Sequence, residues 1–318
     1  MHLPYSQASD FHRERDFGQK ISATIAFIAV HWRPLGRVLV YLVLPVALVR
    51  GVLTTFIQQQ MPLSVPGQAP GQYGAAGGAL SMQMGLWKAI FSSPAYWLGS
   101  LLGSISFALL LLSVYGYVLL LAQRRTPGPP VTVAEVWAGA RPKFVGTLLS
   151  LWGVGLLVGA GFCLLLIPGL YLGVALSLFF IVKLSEGTGF GATFGRCLRL
   201  TRGKWWSTFG LLFIATLLLY VVLMGVGAVT ILVSGGFSAA LHAMRERSPV
   251  VSVIVTSLGS FSTLFLYPPL LLVLAFQYFN LVERKEGTGL RLLVDSLGQT
   301  AAPQASNAAY RPDDEGEY

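Results

Sequence analysis

The feature that most constrains this chain is a series of apolar blocks, each close to the roughly 20 residues an α-helix needs to cross about 30 Å of hydrocarbon. They fall at Leu35–Ile57, Ala95–Ala122, Phe144–Ile167, Leu170–Leu184, Ser207–Ser234 and Val250–Val282. A membrane β-barrel would instead need strands of about ten residues alternating apolar with polar. Runs such as Phe107 to Leu112 (FALLLL) and Leu217 to Leu223 (LLLYVVL) do not alternate. Charge is scarce as well: 11% of the 318 residues are charged, against about 25% in a soluble domain, which is too little to build a water-facing surface. The expected fold class is therefore all-α, a polytopic membrane helix bundle of about six transmembrane helices.

Three regions follow: residues 1–34, a cytoplasmic N-terminus with an interfacial helix; residues 35–298, the membrane domain; and residues 299–318, a disordered acidic tail without apolar period. Between the first two spans, Gln58 to Ser93 is rich in Gly, Pro, Gln and Ser and reads as an exposed loop, with a short helix around Leu80 to Phe91 as an option. The third and fourth spans meet at Ile167-Pro168-Gly169, where Pro168 removes a donor and Gly169 permits a tight turn. The fourth block is short; it either extends to Glu186 or forms a broken pair that does not fully cross.

Orientation follows from lysine and arginine. With the N-terminus inside, 18 of the 22 fall on the inner side and only Arg50, Lys88, Arg245 and Arg247 outside, the positive-inside pattern. Both termini are then cytoplasmic. The net charge of +9 is explained by topology and anionic lipid rather than nucleic acid. The mixed charges of Arg13, Glu14, Arg15, Asp16 and Lys20 are not those of a cleavable signal peptide.

Three short amphipathic stretches lead into spans, so the chain reads as three hairpins, each preceded by a helix in the inner interface. In the first, Phe17, Ile21, Thr24, Ile25, Ile28 and Trp32 share a face with Lys20 off it, and Asp16 with Gln19 has capping-box spacing. The second opens with Thr132 and Glu135 and runs to Arg141-Pro142-Lys143. In the third, Phe190, Phe194, Cys197, Leu198 and Thr201 lie opposite Arg196, Arg199 and Arg202. These helices either anchor the hairpins or also recognise acidic headgroups or a partner.

No catalytic constellation is visible. His2, His12, His31 and His242 lack metal-ligand spacing, the spans hold no paired carboxylates, and there is no GxSxG or phosphate-binding loop. Cys163 and Cys197 read as two unpaired thiols, and no cofactor or metal is expected. Gly155-Leu-Leu-Val-Gly159 and Gly99-Ser-Leu-Leu-Gly103 fit the small-xxx-small pattern, which serves packing within the bundle or a homo-oligomer. Pro45, Pro268 and Pro269 are expected to kink the first and sixth spans. Lys183 and Glu186 could pair along a helix; alternatively, Glu186 orients the arginines that follow.

The stretch Ile167-Pro168-Gly169-Leu170-Tyr171, then Glu186-Gly187-Thr188-Gly189-Phe190, continuing to Arg196-Cys197-Leu198-Arg199-Leu200-Thr201-Arg202-Gly203-Lys204-Trp205-Trp206, resembles a bacterial family named for the membrane domain of glycerophosphoryl diester phosphodiesterase. Cys197 stands where that family usually has serine. The resemblance implies a multi-span architecture and a link to glycerophospholipid, while the phosphodiesterase activity would belong to a separate soluble domain. The expected function is thus a non-enzymatic, lipid-associated scaffold or membrane-homeostasis factor. Its partner would be anionic inner-leaflet phospholipid, met by a surface of Glu186, Arg196, Arg199, Arg202 and Lys204. The alternative is a permease or channel for a small or amphipathic solute, suggested by kinked, glycine-rich spans.

Overall fold

The computed structural model describes residues 8–60, 94–124, 128–234 and 266–287, with single positions 5, 92, 289, 291 and 294. Every regular element among them is helical. A short α1 (Ala8–Phe11) precedes α2 (Phe17–Leu42), α3 (Leu44–Gln60) and α4 (Pro94–Ala122). Helix α5 (Val133–Ala140) passes through a 3-10 turn at Arg141–Lys143 into α6 (Phe144–Leu164), which reverses into α7 (Leu166–Leu176) and α8 (Phe179–Glu186). Then come α9 (Phe190–Thr201), α10 (Trp205–Ser234) and α11 (Tyr267–Glu286). Five stretches are long and apolar enough to cross a membrane: Phe17–Leu42, Tyr96–Ala122, Val133–Leu164, Leu166–Glu186 and Trp205–Val222. Of the sixth expected span, α11 covers the second half; its first half, the loop of residues 61–91 and the acidic tail lie outside the described residues.

Helices α4 and α11 form the centre, packing on each other and on α2, with α8 closing the core. Val114, Tyr115, Leu178, Ile181 and Leu272 are fully buried there. Helices α6 and α10 turn large apolar side chains outward: Val145, Leu149, Leu156, Phe213 and Val221 are all more than half exposed. Lipid tails are as apolar as leucine, so this exposure carries no penalty in a bilayer.

The first span differs most from expectation. The expected interfacial helix and the span after it are not separated near Trp32: one helix runs from Phe17 to Leu42 with Pro34 inside it. Proline frees one carbonyl, and the rest of the helical ladder carries the chain through. The buried side is Lys20, Thr24, Phe27, His31, Leu35 and Val38. Ile25 and Trp32, from the apolar face read in the sequence, stand 62% and 59% exposed. The outward side mixes Ile25 and Trp32 with Gln19, Ser22, Arg33 and Arg37, so what this helix buries is set by its partner helices rather than by its apolar face alone. The helix breaks at Val43, two residues before Pro45. Pro268 and Pro269 instead start α11, in the first turn where a missing donor costs nothing.

The reversal between α6 and α7 also moves. It occurs at Leu165, which is extended (φ −159°, ψ 146°), while Pro168 and Gly169 lie inside the first turn of α7. Gly169 is needed for contact rather than for the turn: a Cβ there would stand 2.5 Å from the Phe162 ring and 2.6 Å from its backbone nitrogen. Gly155 and Gly159, by contrast, face open space, so they do not pack within the bundle. The fourth span runs on to Glu186 with an interruption at Ser177 and Leu178.

Of the two later amphipathic stretches, α5 joins α6 through Pro142, and its Thr132 Oγ1 accepts from the Glu135 amide at 3.3 Å. Only α9 is set off as a separate helix, because Arg202 leaves helical geometry and Gly203 adopts φ +81°, a left-handed conformation that glycine takes freely. Cys197 and Thr201 are buried on one side of α9 while Arg199 and Arg202 are exposed on the other, as the helical wheel predicts.

Candidate functional site at the basic end of the bundle

The N-terminal segment ties the ends of α4 and α11 together. The Ala8 amide donates to the Arg124 carbonyl at 2.8 Å, and the Arg15 amide to Asn280 Oδ1 at 2.8 Å. Phe11 stacks on Phe276 with ring centroids 6.0 Å apart. The Arg15 guanidinium is spent locally, donating to the carbonyls of Phe11 and Asp10 and lying 5.2 Å over the Phe276 ring. Beside it, Arg284 reaches Glu14 at 3.6 Å. At the other end of α4, Arg50 packs against Gly103, about 30 Å from Arg124 at 1.5 Å per residue. Arg15, Arg124 and Arg284 thus share one end of the bundle, with Arg50 at the other.

Arg196 does not join them as a free charge. Its Nε donates to Glu186 Oε1 at 2.8 Å and to Oε2 at 3.1 Å, and its other nitrogen pairs with Glu286. Burial opposes the Arg196 charge, but the hydrogen bonds to Glu186 and Glu286 outweigh it and raise its pKa. Glu186 also accepts from the Tyr278 hydroxyl at 3.3 Å. The cluster thus fastens α8, α9 and α11 to one another. Lys183 does not pair with Glu186; its ammonium donates to the Gly146 carbonyl at 2.7 Å and to Ser150 Oγ. The Lys285 ammonium donates to the carbonyls of Arg199 and Arg202, where α9 ends.

Of the expected surface, Arg199, Arg202 and Lys204 remain exposed. Lys204 also lines a second feature: a 210 Å³ pocket between the basic ends of α2, α10 and α11, shared with Lys20, Arg284, Ser207, Asn280 and Asp16. Sequence reasoning missed Lys20 and Arg284 as part of this group. The signal was there in Lys20 lying four and eleven residues before Thr24 and His31 on one helical side, although the apolar pattern places Lys20 off the packing face.

These features define a multi-pass α-helical membrane protein with a cationic surface and pocket at one end of its bundle. Among the described residues, no three metal-ligating side chains come together. Comparison with protein-family models, with curated proteins and with solved structures finds no match to this chain.

Proposed function

We propose that this is a non-enzymatic, lipid-associated protein of a bacterial inner membrane, a scaffold or membrane-homeostasis factor. Its basic cytoplasmic face would recruit anionic phospholipid. The observation that carries this reading is the exposure of Arg199, Arg202 and Lys204 beside α9, with the Lys20 and Arg284 pocket next to them. Clustered cations next to spans attract anionic headgroups, each worth about 1 kcal/mol near the surface. The 18-to-4 division of lysine and arginine supports the cytoplasmic placement, and the resemblance of residues 167–206 to the phosphodiesterase membrane-domain family supports the link to phospholipid.

The test is the lipid composition of gently extracted protein. Anionic over zwitterionic enrichment should fall in Arg199→Ala/Arg202→Ala/Lys204→Ala; no enrichment in the wild type would sink the reading. A permease is the second reading. It is favoured by buried polar side chains between α10 and α11, where Gln277 Nε2 donates to Thr208 Oγ1 at 2.9 Å, and solute flux in liposomes would reveal it.

A further inference from the structure

Helices α2, α10 and α11 enclose two features in succession. Nearest the basic end is the 210 Å³ pocket of Lys20, Lys204, Arg284, Ser207, Asn280 and Asp16. Beyond it lies a 370 Å³ crevice walled by Ile21, Ile25, Ala215, Leu218, Val222 and Leu270. The same three helices wall both. Lys20 and Ile21 are consecutive residues, and Lys204 precedes Ala215 on α10 by about 16 Å of helix rise. The crevice is almost wholly apolar and falls within the roughly 300–1,000 Å³ of small-molecule sites. It opens sideways to the bilayer, since Ile25 on its rim is 62% exposed.

The basic pocket is short of negative charge. Lys20 is 3% exposed, yet it makes no ion pair among the described residues, and neither does Lys204. Arg284 has Glu14 at 3.6 Å, which leaves Asp16 as the one carboxylate lining the pocket. Of these cations, Lys20 is the buried one, and a buried cation is costly without a counter-charge. Hydroxyl and amide donors from Ser207 and Asn280 complete a set suited to phosphate oxygens.

From this juxtaposition we infer that the two cavities together hold one anionic phospholipid, its phosphate between Lys20, Lys204 and Arg284 and an acyl chain reaching the crevice between α2, α10 and α11. The inference rests on the lipid-associated reading and sharpens it from a surface to a single site. A cationic pocket and an apolar crevice stacked along the same three helices match the two ends of an amphiphile, with its phosphate at headgroup depth. Free phosphate would use the head alone and leave the crevice irrelevant.

The experiment is native mass spectrometry of the full chain in nonionic detergent, titrated with phosphatidylglycerol or phosphatidylcholine, with thermal melts confirming that each variant is folded. One phosphatidylglycerol should persist at collision energies that strip phosphatidylcholine. Lys20→Gln/Lys204→Gln should weaken it about tenfold or more, because it removes charge-assisted hydrogen bonds to the phosphate. Ala215→Trp, which fills the crevice, should also weaken it. So should Ile25→Trp, an independent block at a position already outside the core. Arg199→Gln/Arg202→Gln should keep this one lipid even as general anionic enrichment falls.

Three results would overturn the site: both tryptophan variants retaining the lipid, inorganic phosphate displacing it, or phosphatidylcholine persisting equally. If anionic enrichment then survives and depends on Arg199 and Arg202, the surface reading stands without the site. If no anionic lipid is enriched at all, both fail.

Discussion

Arg196 on α9 and Glu186 at the end of α8 are joined by two hydrogen bonds, at 2.8 and 3.1 Å, with both side chains less than a quarter exposed. This pair converts an arginine that the helical wheel assigns to the lipid-facing surface into an internal fastening. Glu186→Ala is expected to lower stability by about 1–3 kcal/mol, because it removes one of two carboxylates from a partly buried guanidinium and an acceptor from Tyr278. Thermal unfolding in detergent, followed by tryptophan fluorescence, measures this. Arg196→Ala should shift the melt in the same direction while leaving anionic lipid enrichment intact.

At the hairpin, Gly169→Ala is expected to cost about 1–3 kcal/mol, since its Cβ would collide with both ring and backbone of Phe162. Gly155→Ala is the control. Nothing lies within 4 Å of a Cβ there, so it should be neutral or slightly stabilising through helix propensity. Equal melts for the two would show that the α6 and α7 contact is looser than described.

His12 supplies a pH dependence. Burial lowers its pKa below the ordinary 6.5, Arg15 adds to this and Glu283 opposes it, with its ring edge-on to Phe279 at 5.1 Å. The folded state therefore binds fewer protons than the unfolded state once the pH drops below about 6.5, and stability rises with pH in that window. Acidification from pH 7 should lower the melting temperature, levelling off below the folded pKa. His12→Gln should flatten that part of the profile by at most one proton's worth of slope.

The two cysteines should react differently with a thiol reagent. Cys197 is buried against the bundle and its pKa is pushed up to about 12, mainly by burial and further by Glu186. At pH 8 its thiolate is therefore scarce. Cys163 is exposed. A membrane-permeant maleimide should label Cys163→Ser protein poorly and Cys197→Ser protein readily; the opposite ranking would place α9 away from the bundle.

Fold class was legible because a bilayer demands long, uninterrupted apolar helices, and blocks such as Phe107 to Leu112 admit no other element. The two-sided layout of α9 was legible too: Cys197 and Thr201 inward, Arg199 and Arg202 outward, since an amphipathic helix at an interface obeys the same period as one in water. Helix ends were less legible. Pro168 and Gly169 read as a turn, whereas the chain reverses at Leu165, because proline is as much at home in a first helical turn as in a loop.

What the sequence determined by itself, then, is a property of single segments: how long each apolar run is, where cations flank it and which side of α9 is polar. Tertiary structure alone decided which charges are spent and which are left over. Arg196 meets Glu186 and Glu286 across ten and ninety residues of chain, while Lys20, Lys204 and Arg284 converge on one pocket from three helices. Helical period says which side of a helix a residue occupies, but not whether that side meets lipid or protein. Within a membrane that choice is made by partner helices, since the apolar face is content with either and only the polar face is costly to leave in hydrocarbon.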